Sequence, residues 1–165
     1  MRKILTYPDP LLRKRAEELR DLGPEVERLA QEMIDTMYAA SGIGLAAPQV
    51  GESVRLIVVD VGAKEGVFSP LVVVNPEIKE AEGSFVMEEG CLSIPGIRAE
   101  VGRHRRVLVS GYDLKGRPME IEAEGFLAVV FQHEIDHLDG VLFIDRLSRL
   151  KRQLIERKLR KQLTG

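Results

Sequence analysis

The chain has 165 residues, 44% hydrophobic and 30% charged, with a formal net charge of −2. That suits one domain with a real core, and no apolar run reaches the roughly 20 residues of a membrane span, so no membrane role is expected. One cysteine, Cys91, rules out an intramolecular disulfide.

The chain opens Met1-Arg2-Lys3-Ile4-Leu5-Thr6-Tyr7-Pro8, and Pro8 and Asp9 cut its apolar part short. That is no signal peptide, and a cytoplasmic location is expected. Gly23-Pro24 reads as a helix start. Val26, Leu29, Ala30, Met33, Ile34 and Met37 then recur at helical spacing as far as Ser41-Gly42. Strands are predicted at Leu56 to Val61, Leu71 to Val74, Val107 to Ser110 and Met119 to Ala123, all rich in β-branched residues. Leu114-Lys115-Gly116-Arg117 reads as a hairpin turn between the last two. The stretch from Glu88 to Gly96 holds Gly90 and Pro95 and reads as a special backbone path rather than a plain strand. Further helices are predicted from Gly125 to Leu138 and from Ser148 to Leu163. The expected fold is α+β: a compact single domain over residues 1–165, with antiparallel strands packed around a central metal-binding helix and helices near both termini.

The chemistry is concentrated in the middle helix. Phe126, Val129, Val130, His133 and His137 share one helical stripe, so both imidazoles face inward with apolar neighbours. Buried histidines need partners, and two of them four residues apart, with Glu134 beside the first, fit a divalent metal and a proton carrier. A catalytic metal usually takes three protein ligands. The run His133-Glu134-Ile135-Asp136-His137-Leu138-Asp139-Gly140 matches a protease pattern whose third histidine would fall at position 143, where this chain has Phe143. Glu156 is the one glutamate downstream, in a basic segment that suits a solvated charge. Cys91 is the better third ligand and would leave a fourth position open. His104 could instead close a structural site, although its neighbours Arg103, Arg105 and Arg106 oppose a cation.

Three segments in order, Gly42 to Gln49, Glu89 to Ser93 and Gln132 to His137, carry the motifs Gly-x-Gly-x-Ala-Ala-x-Gln, Glu-Gly-Cys-Leu-Ser and Gln-His-Glu-x-Asp-His. Together they resemble peptide deformylase of the bacterial type. The resemblance implies hydrolysis of the formyl group from N-formyl-methionyl nascent polypeptides, releasing formate. It implies one divalent metal on Cys91, His133 and His137, commonly Fe(II) in the cell, with Zn(II), Ni(II) or Co(II) also accommodated. It implies that metal-bound water attacks the formyl carbon, with Glu134 as general base and acid. By the same likeness Gln49 and the Leu92 backbone N–H form an oxyanion hole, and the peptide lies extended beside Gly44 and Gly90. Candidate walls for the methionine side chain are Ile43, Met87, Phe126, Val129 and Val130. Arg98 is expected to hold the peptide farther out or to pair with Glu88, and Glu89 and Asp136 are candidates for orienting the histidines.

From residue 146 onward the chain holds eight Lys or Arg against Glu156 alone. Leu150, Leu154, Ile155 and Leu159 read as a docked apolar stripe, with the cations on the open side. Such a helix suits the polyanionic ribosome as a partner; no DNA partner is expected.

Overall fold

The computed structural model describes residues 1–164. In chain order it contains α1 (Pro24–Ala39), β1 (Gly44–Ala46), β2 (Leu56–Val59), β3 (Leu71–Glu82), β4 (Phe85–Cys91), β5 (Ile94–Arg103), β6 (Arg106–Tyr112), β7 (Pro118–Glu124), α2 (Phe126–Leu138) and α3 (Arg149–Thr164). All named strand pairs are antiparallel. One sheet has the order β1-β2-β3-β6-β7, and β4 and β5 form a second, two-stranded sheet.

The alternation of side chains along β2 sets the layers. Leu56 and Val58 pack with Leu29, Ala30, Met33, Ile34 and Met37 of α1. Ile57 and Val59 point the other way and pack with Ala128, Val130, Phe131 and Ile135 of α2. A strand covered on both faces is apolar at every position, as Leu-Ile-Val-Val is. The sheet is therefore held between two helices, and α2 is fixed along its length. Its C-terminal end is fixed as well: the buried Arg55 guanidinium donates to the Leu138 carbonyl at 2.9 Å and to Asp139 at 3.0 Å. A cation there satisfies carbonyls that the helix leaves unpaired.

Gly140 ends the helix by backbone necessity. Its φ is +75°, and a Cβ would lie 2.4 Å from the Arg13 carbonyl oxygen. The glycine that matches the protease pattern thus serves chain reversal, and Phe143 is a core residue, 1% exposed.

The structure departs from the sequence expectations in its strands and in α3: β1, β4 and β5 are additional strands, and β3 runs on to Glu82. Glu88 to Gly96 lies in the β4–β5 hairpin, and the special path expected there is a break in the ladder, which shifts register between Gly90 and Cys91. Charged residues on its open face hide the strand pattern. In α3, Ile155 and Leu159 pack beside Phe143 and Ile144, but Leu150 and Leu154 are 67% and 53% exposed. The apolar stripe is therefore shorter than expected, because the helix makes its contacts over its middle and not its first turns. Among the described residues, no helix is long and apolar enough to cross a membrane.

Candidate metal centre and active-site cleft

Cys91, at the end of β4, meets His133 and His137 of α2. Their ligand atoms lie within 4.8 Å of one another, with Cys91 Sγ 3.3 Å from His137 Nε2. Residues 133 and 137 come together because the helix returns to the same face after four residues. His104, by contrast, is exposed and meets the Gly83 carbonyl. Glu156 pairs with Arg152 at 2.7 Å. Neither belongs to the cluster.

The electrostatics of the cluster suit a cation. Burial works to lower the His133 imidazole pKa, but the Cys91 sulfur and the Glu89 carboxylate outweigh it and hold it well above the usual range. Burial, with the neighbouring His133, pushes His137 well below it. The surroundings thus draw positive charge onto the cluster while leaving one imidazole neutral, the state a metal ligand needs. A sulfur and two imidazoles form a donor set that several first-row divalent metals accept.

Glu134 is also buried, and burial raises its carboxyl to about 7. Its Oε1 has no hydrogen-bond partner among the described residues. The other oxygen lies against Gly44, where a Cβ would come within 2.6 Å of it. Gly44 is therefore required for close packing: any side chain would displace the carboxylate.

Behind the cluster runs a buried charge network. His133 Nδ1 meets Glu89 Oε1 at 2.9 Å, which fixes the ring and leaves Nε2 for the cluster. Arg103 donates to both Glu89 oxygens at 2.8 and 2.9 Å and to Asp136 at 2.7 Å. Arg146 then donates to both Asp136 oxygens. Burial favours a neutral Glu89, but Arg103 and His133 override it and hold its carboxyl below the ordinary value. Glu89 thus orients His133 directly. Asp136, the other candidate, touches neither histidine by a hydrogen bond: it is 9% exposed and acts one step back, through Arg103.

Arg103 was missed because it sits in a run of cations. The alternation Ile97, Val101, Arg103 on the buried face of β5 is the signal that singles it out. Replacing Arg103 with Met should leave the Glu89 carboxylate buried without its guanidinium, while Asp136 keeps only Arg146. The expected cost is about 3–5 kcal/mol of stability, with metal affinity lowered roughly 10–100-fold. Denaturant titration and metal competition measure the two effects.

A cleft of about 480 Å³ opens over the cluster. Its walls include Ile43, Gly44, Gln49, Gly90, Cys91, Leu92, Arg98, Val129, His133 and Glu134. Phe126 and Val130 also line it, so they are more than core. Met87 is not among the lining residues; the wall begins at Glu88, one residue farther along β4. Arg98 pairs with Glu88 at 2.7 Å, and both are 61% exposed at the rim. The Gln49 amide is held in one orientation. Its Oε1 accepts from Ala46 N–H at 2.9 Å, while Nε2 donates to Ser93 Oγ at 3.1 Å and lies 3.6 Å from Cys91 Sγ. One amide N–H is thus directed at the buried Ser93 hydroxyl, and the amide nitrogen also faces Cys91, which lines the cleft.

The polypeptide deformylase family profile matches residues 1–153. This chain belongs to the polypeptide deformylase family. A peptide deformylase of Thermodesulfovibrio yellowstonii is 51% identical over 158 residues, covering 96% of each chain. One from Alkalilimnicola ehrlichii is 54% identical over 158 residues, covering 96% of this chain and 88% of its own. Among solved structures, a peptide deformylase from Legionella pneumophila superposes with a TM-score of 0.92 at 47% identity, covering 99% of this chain and 96% of that one. The α+β architecture is that of the deformylases. They are metalloenzymes, and the Cys91, His133 and His137 cluster is the group here that could hold a metal.

Proposed function

We propose that this chain hydrolyses the formyl group from N-formyl-methionyl nascent polypeptides, using a divalent ion, with ferrous iron the expected occupant in the cell. The observation that carries the reading is the meeting of Glu134, Gln49, Cys91 and His133 in one cleft, with His137 buried beside Cys91 in the same cluster. An ion held by Cys91, His133 and His137 supplies Lewis acidity that makes a bound water nucleophilic near neutral pH. Glu134 takes the proton of the attacking water and delivers it to the departing amine. The water oxygen bonds to the formyl carbon, the C–N bond breaks, and formate and a free N-terminal amine leave. The Gln49 amide and the Leu92 N–H donate to the formyl oxygen as negative charge gathers there.

The surroundings support the same substrate. β1 is the edge of the larger sheet and β4 belongs to the smaller, and residues of both line the cleft. A peptide lying extended between them gains main-chain hydrogen bonds that tolerate many sequences. Ile43, Phe126, Val129 and Val130 offer an apolar wall to the methionine side chain. The tight packing of Gly44 on Glu134 leaves no slack beside the reacting group. An acetyl methyl would crowd where a formyl hydrogen fits. The test is a pair of substrates, formyl-methionyl and acetyl-methionyl peptides of the same sequence. Rapid cleavage of the first and none of the second is expected; equal cleavage would refute this account of selectivity.

The basic C-terminal helix is proposed to dock on the ribosome. Arg149, Lys151, Arg157, Lys158 and Lys161 are exposed on α3. Changing all five to Gln should weaken ribosome binding, flatten its salt dependence and leave short formyl-peptide turnover intact. Co-sedimentation across a salt series measures this, and unchanged binding would contradict the docking role.

A further inference from the structure

The oxyanion donors come from two separate parts of the fold. Gln49 sits in the single turn Ala47–Val50 after β1, and Leu92 lies in the turn between β4 and β5, which belong to the other sheet. Such donors act only if their spacing is fixed. The N-terminal segment joins them: Leu5 N–H donates to the Gln49 carbonyl at 2.7 Å, and Tyr7 N–H donates to the Ser93 carbonyl at 2.8 Å. In an extended chain, the N–H groups of residues two apart point the same way and stand about 7 Å apart.

The segment is itself anchored. Leu5 and Tyr7 pack against the apolar cluster that also holds Cys91, Ile94 and Phe143. Arg2 N–H donates to Thr36 Oγ1 at 2.8 Å, and the Arg2 side chain pairs with Glu52 at 2.8 Å and with Glu32.

We infer that the Leu5–Tyr7 backbone is a positioning strap, which sets the Gln49 carbonyl against the Ser93 carbonyl and so aims the Gln49 amide and the Leu92 N–H at one point. The role rests on the oxyanion reading of Gln49 and Leu92. The strap's two N–H bonds go to the Gln49 and Ser93 carbonyls, and it acts through the two donors. Donors that engage only in the transition state affect kcat and leave KM alone.

The test compares Leu5→Pro, which removes the N–H, with Leu5→Ala, which keeps it, each metal-loaded and assayed on a formyl-methionyl peptide. Leu5→Pro is expected to lose about 10- to 100-fold in kcat, the scale of a small misalignment, with KM and metal content unchanged. Leu5→Ala loses the same side-chain packing but keeps the donor, so its stability should fall while its kcat stays within a few-fold of the parent. Should Leu5→Pro fail to fold, an ester in place of the residue 5 amide, introduced as the α-hydroxy analogue of leucine, deletes the same donor. Combining either change with Gln49→Ala decides the route: a further loss smaller than the loss in the parent background supports the strap. A loss that multiplies fully onto that of Gln49→Ala would overturn it, as would N–H removal that leaves kcat at the Leu5→Ala level. If Gln49→Ala alone is without effect, the oxyanion reading itself falls.

Discussion

Replacing Glu134 with Gln is expected to lower kcat by roughly 10²–10⁴-fold while the protein keeps its metal. The amide has nearly the same shape, so the packing against Gly44 survives, and Glu134 is not one of the clustered ligand atoms. What is lost is the oxygen that accepts and returns the proton. KM should change little, because the carboxylate is asked to act on water and leaving amine, not to bind the peptide.

The same substitution has a signature in the metal-free protein. Burial lifts the Glu134 carboxyl from an ordinary 4.5 to about 7. A carboxyl raised on folding contributes full stability below pH 4.5, where it is protonated in both states. That contribution is lost as pH rises towards 7, because the unfolded chain ionises first. The Gln variant has no such loss. It should therefore match the parent in acid and exceed it by on the order of 3 kcal/mol above neutrality. Urea titrations of both metal-free proteins at pH 4 and pH 8 measure the difference, and a gap that widened in acid would contradict a buried, raised carboxyl.

Cys91→Ala should abolish metal retention and formate release together. The sulfur is one of three ligand atoms, and two imidazoles alone make a poor catalytic site. The affinity loss should exceed the roughly 10–100-fold that outer-shell changes typically cause. Glu156→Ala is the matched control. Its carboxylate pairs with Arg152 on α3, so both metal and activity should remain. Metal loss on Glu156→Ala, with retention in Cys91→Ala, would favour a metallopeptidase arrangement instead.

The centre was legible in the sequence because its chemistry sits in short motifs. Helical spacing alone brings His133 and His137 together, and the failed third histidine at Phe143 redirects attention to Cys91. α1 and α2 were legible for a related reason, since helical periodicity is local. Arg103 was not, because its partners Glu89 and Asp136 lie 14 and 33 residues away, and a cation among cations looks solvated. Arg146 was hidden in the basic tail for the same reason. Beyond its irregular turn the β4–β5 hairpin was not legible, because charged residues on its open face hide the strand pattern. The Leu5 and Tyr7 contacts run through backbone N–H groups, which leave no mark in side-chain pattern.

The most direct measurement is formate release from a formyl-methionyl peptide by anaerobically prepared, metal-loaded protein, run beside its Glu134→Gln variant and its chelator-stripped form. Release by the loaded protein, its collapse in the variant, and its loss and recovery with metal removal and return are the predicted results. No formate from the intact, loaded protein, or equal release from the Glu134→Gln variant, would contradict the account.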